Sequence, residues 1–161
     1  MGRTDDLNEE RMRLLGRHLA ELSVIKTVQY FPSGKEDRVV STLQPNYYPN
    51  IVETATLDVR LRLNGEFNMQ YYEEWDDERW SCRWDRHPNS HNTDDHYHIP
   101  PQPQEERAVD ANYPTDPNDV LRLVLQTIET RINEIWSGTD WVYPSEYEFQ
   151  YEYGSDYLVE I

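Results

Sequence analysis

A chain of 161 residues with 31 acidic against 15 basic side chains carries a formal charge of -16. Its length suits one domain, a sheet covered by a helix or two, and its single cysteine, Cys82, excludes an intramolecular disulfide or a multi-cysteine zinc site. No apolar run reaches the roughly 20 residues that cross a bilayer, and the charged start has no signal-peptide core, so a soluble, cytoplasmic protein with no membrane partner is expected.

High acid and scarce lysine, confined to Lys26 and Lys35, would also suit a disordered chain. Five Trp and twelve Tyr set in alternating patterns argue instead for a folded one. The composition fits an acidic surface adapted to molar salt, as in a haloarchaeon or another halophile. There the screening length falls to about 3 Å, so net charge no longer argues against a nucleic-acid partner.

Taken in chain order, the pattern predicts a first helix over about 5–25, capped by Thr4 or Asp5, with Leu7, Met12, Leu15, Leu19, Leu22 and Ile25 on one stripe. A sheet follows over about 27–84. It opens with runs at 27–31 and 38–43 about a Pro32-Ser33-Gly34-Lys35 turn, followed by a loop at 44–50. Strands at 51–64 and 66–75 meet at the Asn64-Gly65 hairpin turn, and a strand at 79–84 closes the meander. Residues 85–116 read as a His- and Pro-rich loop, long enough to suggest function or disorder. Asp116 and Pro117 start a second helix over about 117–136, which Gly138 stops. Alternation at Tyr147, Phe149, Tyr151 and Tyr153 predicts a last strand over about 146–153. The fold class is α+β: an antiparallel meander of five to six strands, packed on one face by an N-terminal and a C-terminal helix, in a single domain over 1–161.

Strand parity then separates two faces. With Val59, Leu61, Leu63, Phe67, Met69, Tyr71, Trp80, Cys82 and Trp84 on the helix side, the other side carries Arg60, Arg62, Asn68, Gln70, Tyr72, Arg79, Ser81, Arg83 and Asp85. An arginine-rich polar face holds phosphate through forked guanidinium contacts, or else pairs with surface carboxylates.

Four of the five histidines, His87, His91, His96 and His98, follow directly. Three readings stay open. Imidazoles exchange protons near neutrality and serve as general acid and base beside arginines that bind a phosphodiester. Alternatively, His96 and His98, on one side of an extended strand, join His87 or His91 and an aspartate to bind a divalent metal, although the spacing matches no strong zinc signature. Or the loop is structural. Cys82 reads as a small buried residue rather than a nucleophile, and His18 as a packing residue on the first helix.

The run Arg83-Trp84-Asp85, then His87-Pro88, then His96-Tyr97-His98 before the second helix resembles the TumE family over about residues 55–136. Arg83, Trp84 and Asp85 match the family's Arg-Tyr/Trp-Asp run and His96 and His98 its later histidine group. Arg86 stands in place of an Asn, and Tyr97 in place of a Lys. The resemblance implies a toxin of a type II toxin–antitoxin pair, with a cognate antitoxin as partner. Residues and resemblance together predict action on RNA. Arg83 with Arg60 and Arg62 would bind phosphate, His96 or His98 would be the base and His87 or His91 the acid, with Asp85 orienting an imidazole. No cofactor is required, with a divalent metal as the third option. A non-enzymatic interaction module, docking a protein partner or forming a homodimer, is the alternative.

Overall fold

The computed structural model describes residues 6–31, 38–88, 94–102 and 108–140. Among these, seven strands form one sheet in chain order, each antiparallel to the next. They are β1 (Ile25–Phe31), β2 (Arg38–Leu43), β3 (Val52–Leu61), β4 (Phe67–Trp75), β5 (Arg79–Arg86), β6 (Asp95–His98) and β7 (Ala108–Asp110). Two helices flank the series in the chain, α1 (Glu9–Ala20) before it and α2 (Pro117–Ser137) after it.

The sheet exceeds the five to six strands expected from the sequence. β6 and β7 lie inside the segment read as a loop, and β5 runs two residues past its expected end. Four and three residues are too short to show a period-2 signal, and their pairing is fixed from outside the strands, as described below. The turn at 32–35 and the strand expected at 146–153 lie outside the described residues.

The first helix is shorter than its apolar stripe suggests. Asn8 caps it, its side chain accepting from Arg11 N, because the residues before it are used otherwise. Leu7 bridges Arg62, Asn8 N donates to Leu61 O at 2.7 Å, and Leu63 N donates to Asp6 O at 2.8 Å. The entry to α1 is thus tied to the end of β3. The second helix begins and ends at its expected signals. The Asp116 side chain accepts from Asn118 N, Pro117 occupies the first turn, and Gly138 closes the C-terminus. Between β3 and β4, Gly65 takes a φ of +91°, the left-handed conformation this turn demands of it.

One face of the sheet is apolar. Val39, Val59, Met69, Trp84 and Tyr97 form a row across β2 to β6, flanked by Ser41, Leu57, Tyr71 and Cys82. The buried apolar cluster joins Val39, Leu57, Val59, Met69, Tyr71, Cys82 and Trp84 of this face to Met12, Leu15 and Leu19 of α1 and to Val124, Leu125, Ile128 and Ile132 of α2. Burial pushes the Cys82 thiol up to about 12, so it stays protonated and inert at neutral pH.

This face also holds a charge. The carboxylate of Glu73 is fully buried and accepts from Tyr71 Oη (2.6 Å), Trp75 Nε1 (3.0 Å), Arg131 Nε (3.0 Å) and Arg131 Nη2 (2.8 Å). The guanidinium of Arg131 lies 3.8 Å from the centre of the Trp80 ring. This forked pair fastens α2 to β4. Among the described residues no helix is long and apolar enough to cross a membrane.

Candidate functional site

On the opposite face, cross-strand register assembles polar residues into two adjacent rows. Arg60, Asn68, Asp85, His96 and Asp110 occupy matching positions on β3 to β7, and the next row holds Asp58, Gln70, Arg83, His98 and Ala108. Both rows cross the same strands at successive same-face positions, so Asp85 has His96 beside it and Arg83 and His98 one step along.

Asp85 is the centre. Its carboxylate is fully buried. Asn68 Nδ2 donates to Oδ1 at 2.7 Å, and Arg83 Nε donates to Oδ2 at 2.8 Å. Three imidazole nitrogens face that same Oδ2: His98 Nε2 at 2.9 Å, His96 Nε2 at 3.5 Å and His87 Nε2 at 3.6 Å. The rings stack edge to face, with centroids 4.6 Å apart for His87 and His96 and 4.9 Å apart for His96 and His98. His96 and His98 are fully buried, whereas the His87 side chain is 40% exposed and opens the cluster to solvent.

Backbone carbonyls select the tautomers of two rings. His96 Nδ1 lies 3.2 Å from Asp94 O and His87 Nδ1 lies 2.9 Å from Pro88 O. A carbonyl oxygen can only accept, so each Nδ1 carries the proton and each neutral ring presents a bare Nε2 toward Asp85. His98 differs. Its Nε2 lies 2.9 Å from the carboxylate and 3.0 Å from Arg83 Nη2, a group that can only donate. That nitrogen either donates to Asp85 or accepts from Arg83, never both at once.

β6 is held in register from the other face of the sheet. Arg86 forks onto Asp95, its Nε to Oδ1 at 2.6 Å and Nη2 to Oδ2 at 3.0 Å, and Nη2 also donates to Tyr113 O and Pro114 O at 3.0 Å each. Tyr113 N donates to Asp95 Oδ2 at 2.8 Å, and Tyr113 Oη donates to His96 O at 2.7 Å. The Arg86 guanidinium holds the Asp95 carboxyl below its ordinary value. This clamp ties the approach to α2 onto the strand that carries His96 and His98.

Of the residues singled out in the sequence, Asp85, His87, His96, His98 and Arg83 meet in one cluster. Arg60 lies one row position from it, beside Asn68. Arg62 lies beyond β3, where it bridges Leu7. His91 lies outside the described residues. His96 and His98 stand on a strand, as the metal reading of the sequence had them, within the segment otherwise read as a loop. Parity had placed Asn68 on this face without giving it a role, whereas the Arg86–Asp95 clamp and Tyr113 were not anticipated; the contacts of Tyr113, at sequence separations of 17 and 18, left no local signal.

The chain matches the family described as Toxin TumE over residues 13–132. It belongs to the TumE family. The match takes in β1 to β7 and most of α2, and therefore every described residue of the Asp85 cluster. No curated protein and no solved structure matches the chain.

Proposed function

We propose that this TumE-family chain is a toxin that acts on RNA at the Asp85 cluster. The observation that carries the reading is the convergence of three imidazole nitrogens, 2.9 to 3.6 Å away, on one oxygen of a buried carboxylate, with arginines in the same and the neighbouring row. Burial redistributes the roles expected from sequence. His87 is the imidazole that meets the phosphodiester, because His96 and His98 are sealed behind it and act through Asp85 as positioning residues. Arg83 donates to Asp85 and orients the carboxylate. Arg60 is the phosphate-binding arginine of the face, with Arg62 at its margin.

In cleavage, the 2′-hydroxyl would lose its proton to an imidazole as its oxygen bonds to phosphorus. The 5′-oxygen would take up the proton held by the imidazolium so formed as its bond to phosphorus breaks, which returns the imidazole to its neutral form. A protein antitoxin is the partner that membership of this toxin family suggests. The acidic composition suggests a cytoplasm of molar salt as the working medium.

The test is induced expression in a halophilic host, with wild type beside His87→Ala and a His96→Ala/His98→Ala double variant at matched soluble levels. Wild type alone should arrest growth and generate new RNA 5′ ends. Equal arrest by His87→Ala, or arrest with intact RNA, would overturn the reading. No arrest by any of the three would turn attention to a non-enzymatic module.

A further inference from the structure

The tautomers of His87 and His96 leave three acceptors pointing at one another. Both Nδ1 protons are committed to backbone carbonyls, so both Nε2 atoms present lone pairs to Asp85 Oδ2. Among the described residues nothing hydrogen-bonds to His96 Nε2, although the ring is fully buried. A buried nitrogen of this kind is costly unless something satisfies it.

Two occupants can reconcile three converging acceptors: a proton or a metal ion. A proton shared between His96 Nε2 and Asp85 Oδ2 would draw them to about 2.7–2.9 Å, the length of a charged N–H···O bond. The observed separations are 3.5 Å and 3.6 Å, and the three ligand atoms all lie within 4.8 Å of one another. Bonds of about 2.0–2.2 Å from imidazole nitrogen and carboxylate oxygen to a tetrahedral ion separate neighbouring ligand atoms by roughly 3.3–3.5 Å. The two separations from Asp85 lie at the upper edge of that range and beyond a hydrogen bond, and the third pair, His87 Nε2 and His96 Nε2, comes within 4.8 Å.

We infer that Asp85 Oδ2, His87 Nε2 and His96 Nε2 form a binding site for one divalent first-row transition metal ion of the zinc type. The surroundings have the character of such a site. Each histidine ligand is oriented by a carbonyl at its other nitrogen, and the carboxylate is held by Asn68 and Arg83. His98 contacts the ligand oxygen and belongs to the outer shell. Two nitrogens and one oxygen suit zinc, cobalt or nickel better than magnesium or calcium. The exposed side of His87 leaves a coordination position open to water or to a phosphate oxygen. The sequence shows no zinc signature because the ligands come from β5, its immediate end and β6, joined by register rather than by spacing.

This inference rests on the geometry alone and needs no RNA. Were both readings to hold, His87 would hold the ion together with Asp85 and His96, and the ion would supply a water acidic enough to exchange protons near neutral pH.

The experiment titrates zinc chloride, and separately cobalt chloride, into chelator-stripped full-length protein, followed by calorimetry and thermal unfolding. Wild type should take up one equivalent of zinc with a rise in Tm, and cobalt should give the visible d–d bands of a four- or five-coordinate site. Zinc affinity should fall at least 100-fold in His96→Ala and in His87→Ala, and roughly 10- to 100-fold in His98→Ala, whose ring only supports a ligand. His87→Ala guards against a folding artefact, since its half-exposed ring leaves the metal-free Tm within a degree or two of wild type. No zinc uptake by wild type, or equal uptake by wild type and His87→Ala, would overturn the site. So would a Tm that rises on acidification and ignores zinc, which would identify a proton as the occupant.

Discussion

Two buried carboxylates, Glu73 and Asp85, lie on neighbouring strands of one sheet, and the protein treats them in opposite ways. Glu73 faces the apolar side. Tyrosine, tryptophan and arginine donors engage both its oxygens, and every one of them is a fixed N–H or O–H. Asp85 faces the polar side, with one oxygen answered by Asn68 and the other crowded by Arg83 and three imidazoles whose protons can be rearranged. A charge locked by groups that cannot change state is a fastener. A charge surrounded by groups that titrate and ligate is equipment for chemistry, and such sites are kept at some expense of stability.

The contrast can be broken by substitution. The largest effect is expected at Glu73. Glu73→Ala leaves the half-buried Arg131 guanidinium without its counter-charge and should cost about 3–5 kcal/mol of unfolding free energy in a denaturant titration. A loss below about 1 kcal/mol would show that Glu73 is no fastener.

An intermediate effect is expected at the clamp. Asp95→Asn removes the charge from the fork with Arg86 and should cost about 1–3 kcal/mol near neutral pH. The Asp95 carboxyl is held below its ordinary value in the folded chain, so the unfolded chain binds the proton more readily. Its stabilisation is therefore complete above the ordinary carboxylate pKa and disappears as pH falls through the depressed folded value. Wild type should lose this contribution on acidification and Asp95→Asn should not, so their Tm values should converge toward acid pH. Parallel curves would place the pH dependence elsewhere.

The smallest change in stability is expected at Asp85, with the largest loss of function. Asp85→Asn keeps the shape of the side chain and should shift stability by less than about 1 kcal/mol, in either direction. It should nonetheless abolish both growth arrest and zinc uptake. If Asp85→Asn unfolded the protein as Glu73→Ala does, the two carboxylates would be alike and the comparison would fail.

How much of this could be read from the residues alone follows physical lines. The strands that became β1 to β5 declare themselves through alternation and through Asn64-Gly65, and the second helix through Asp116, Pro117 and Gly138. Parity placed Asn68, Arg83 and Asp85 on one face because the pleat makes that assignment automatic. β6 and β7 stayed hidden. Asp95-His96-Tyr97-His98 carries polar groups on both faces, and it becomes a strand because Arg86 and Tyr113 hold it against β5. The contact between Arg83 and Asp85 stayed hidden for a related reason. A sequence shows that an arginine shares a face with an aspartate, but not that the aspartate claims it. The start of α1 was set too early because pairing of Leu7 and Asn8 with the end of β3 has no local signature.

The strictly sequential sheet also bears on the order in which the protein assembles. Among the described residues every strand pairs with its neighbour in the chain, so the loops that must close are short. Asn68 and Asp85 are 17 residues apart, whereas Glu73 and Arg131 are separated by 58. Loop-closure entropy makes the longer connection costlier by roughly 1 kcal/mol. As the chain is synthesised from its N-terminus, the histidine face has all its strands before Arg131 has been added. The reactive face can take shape first, and the bolt that secures α2 closes afterwards.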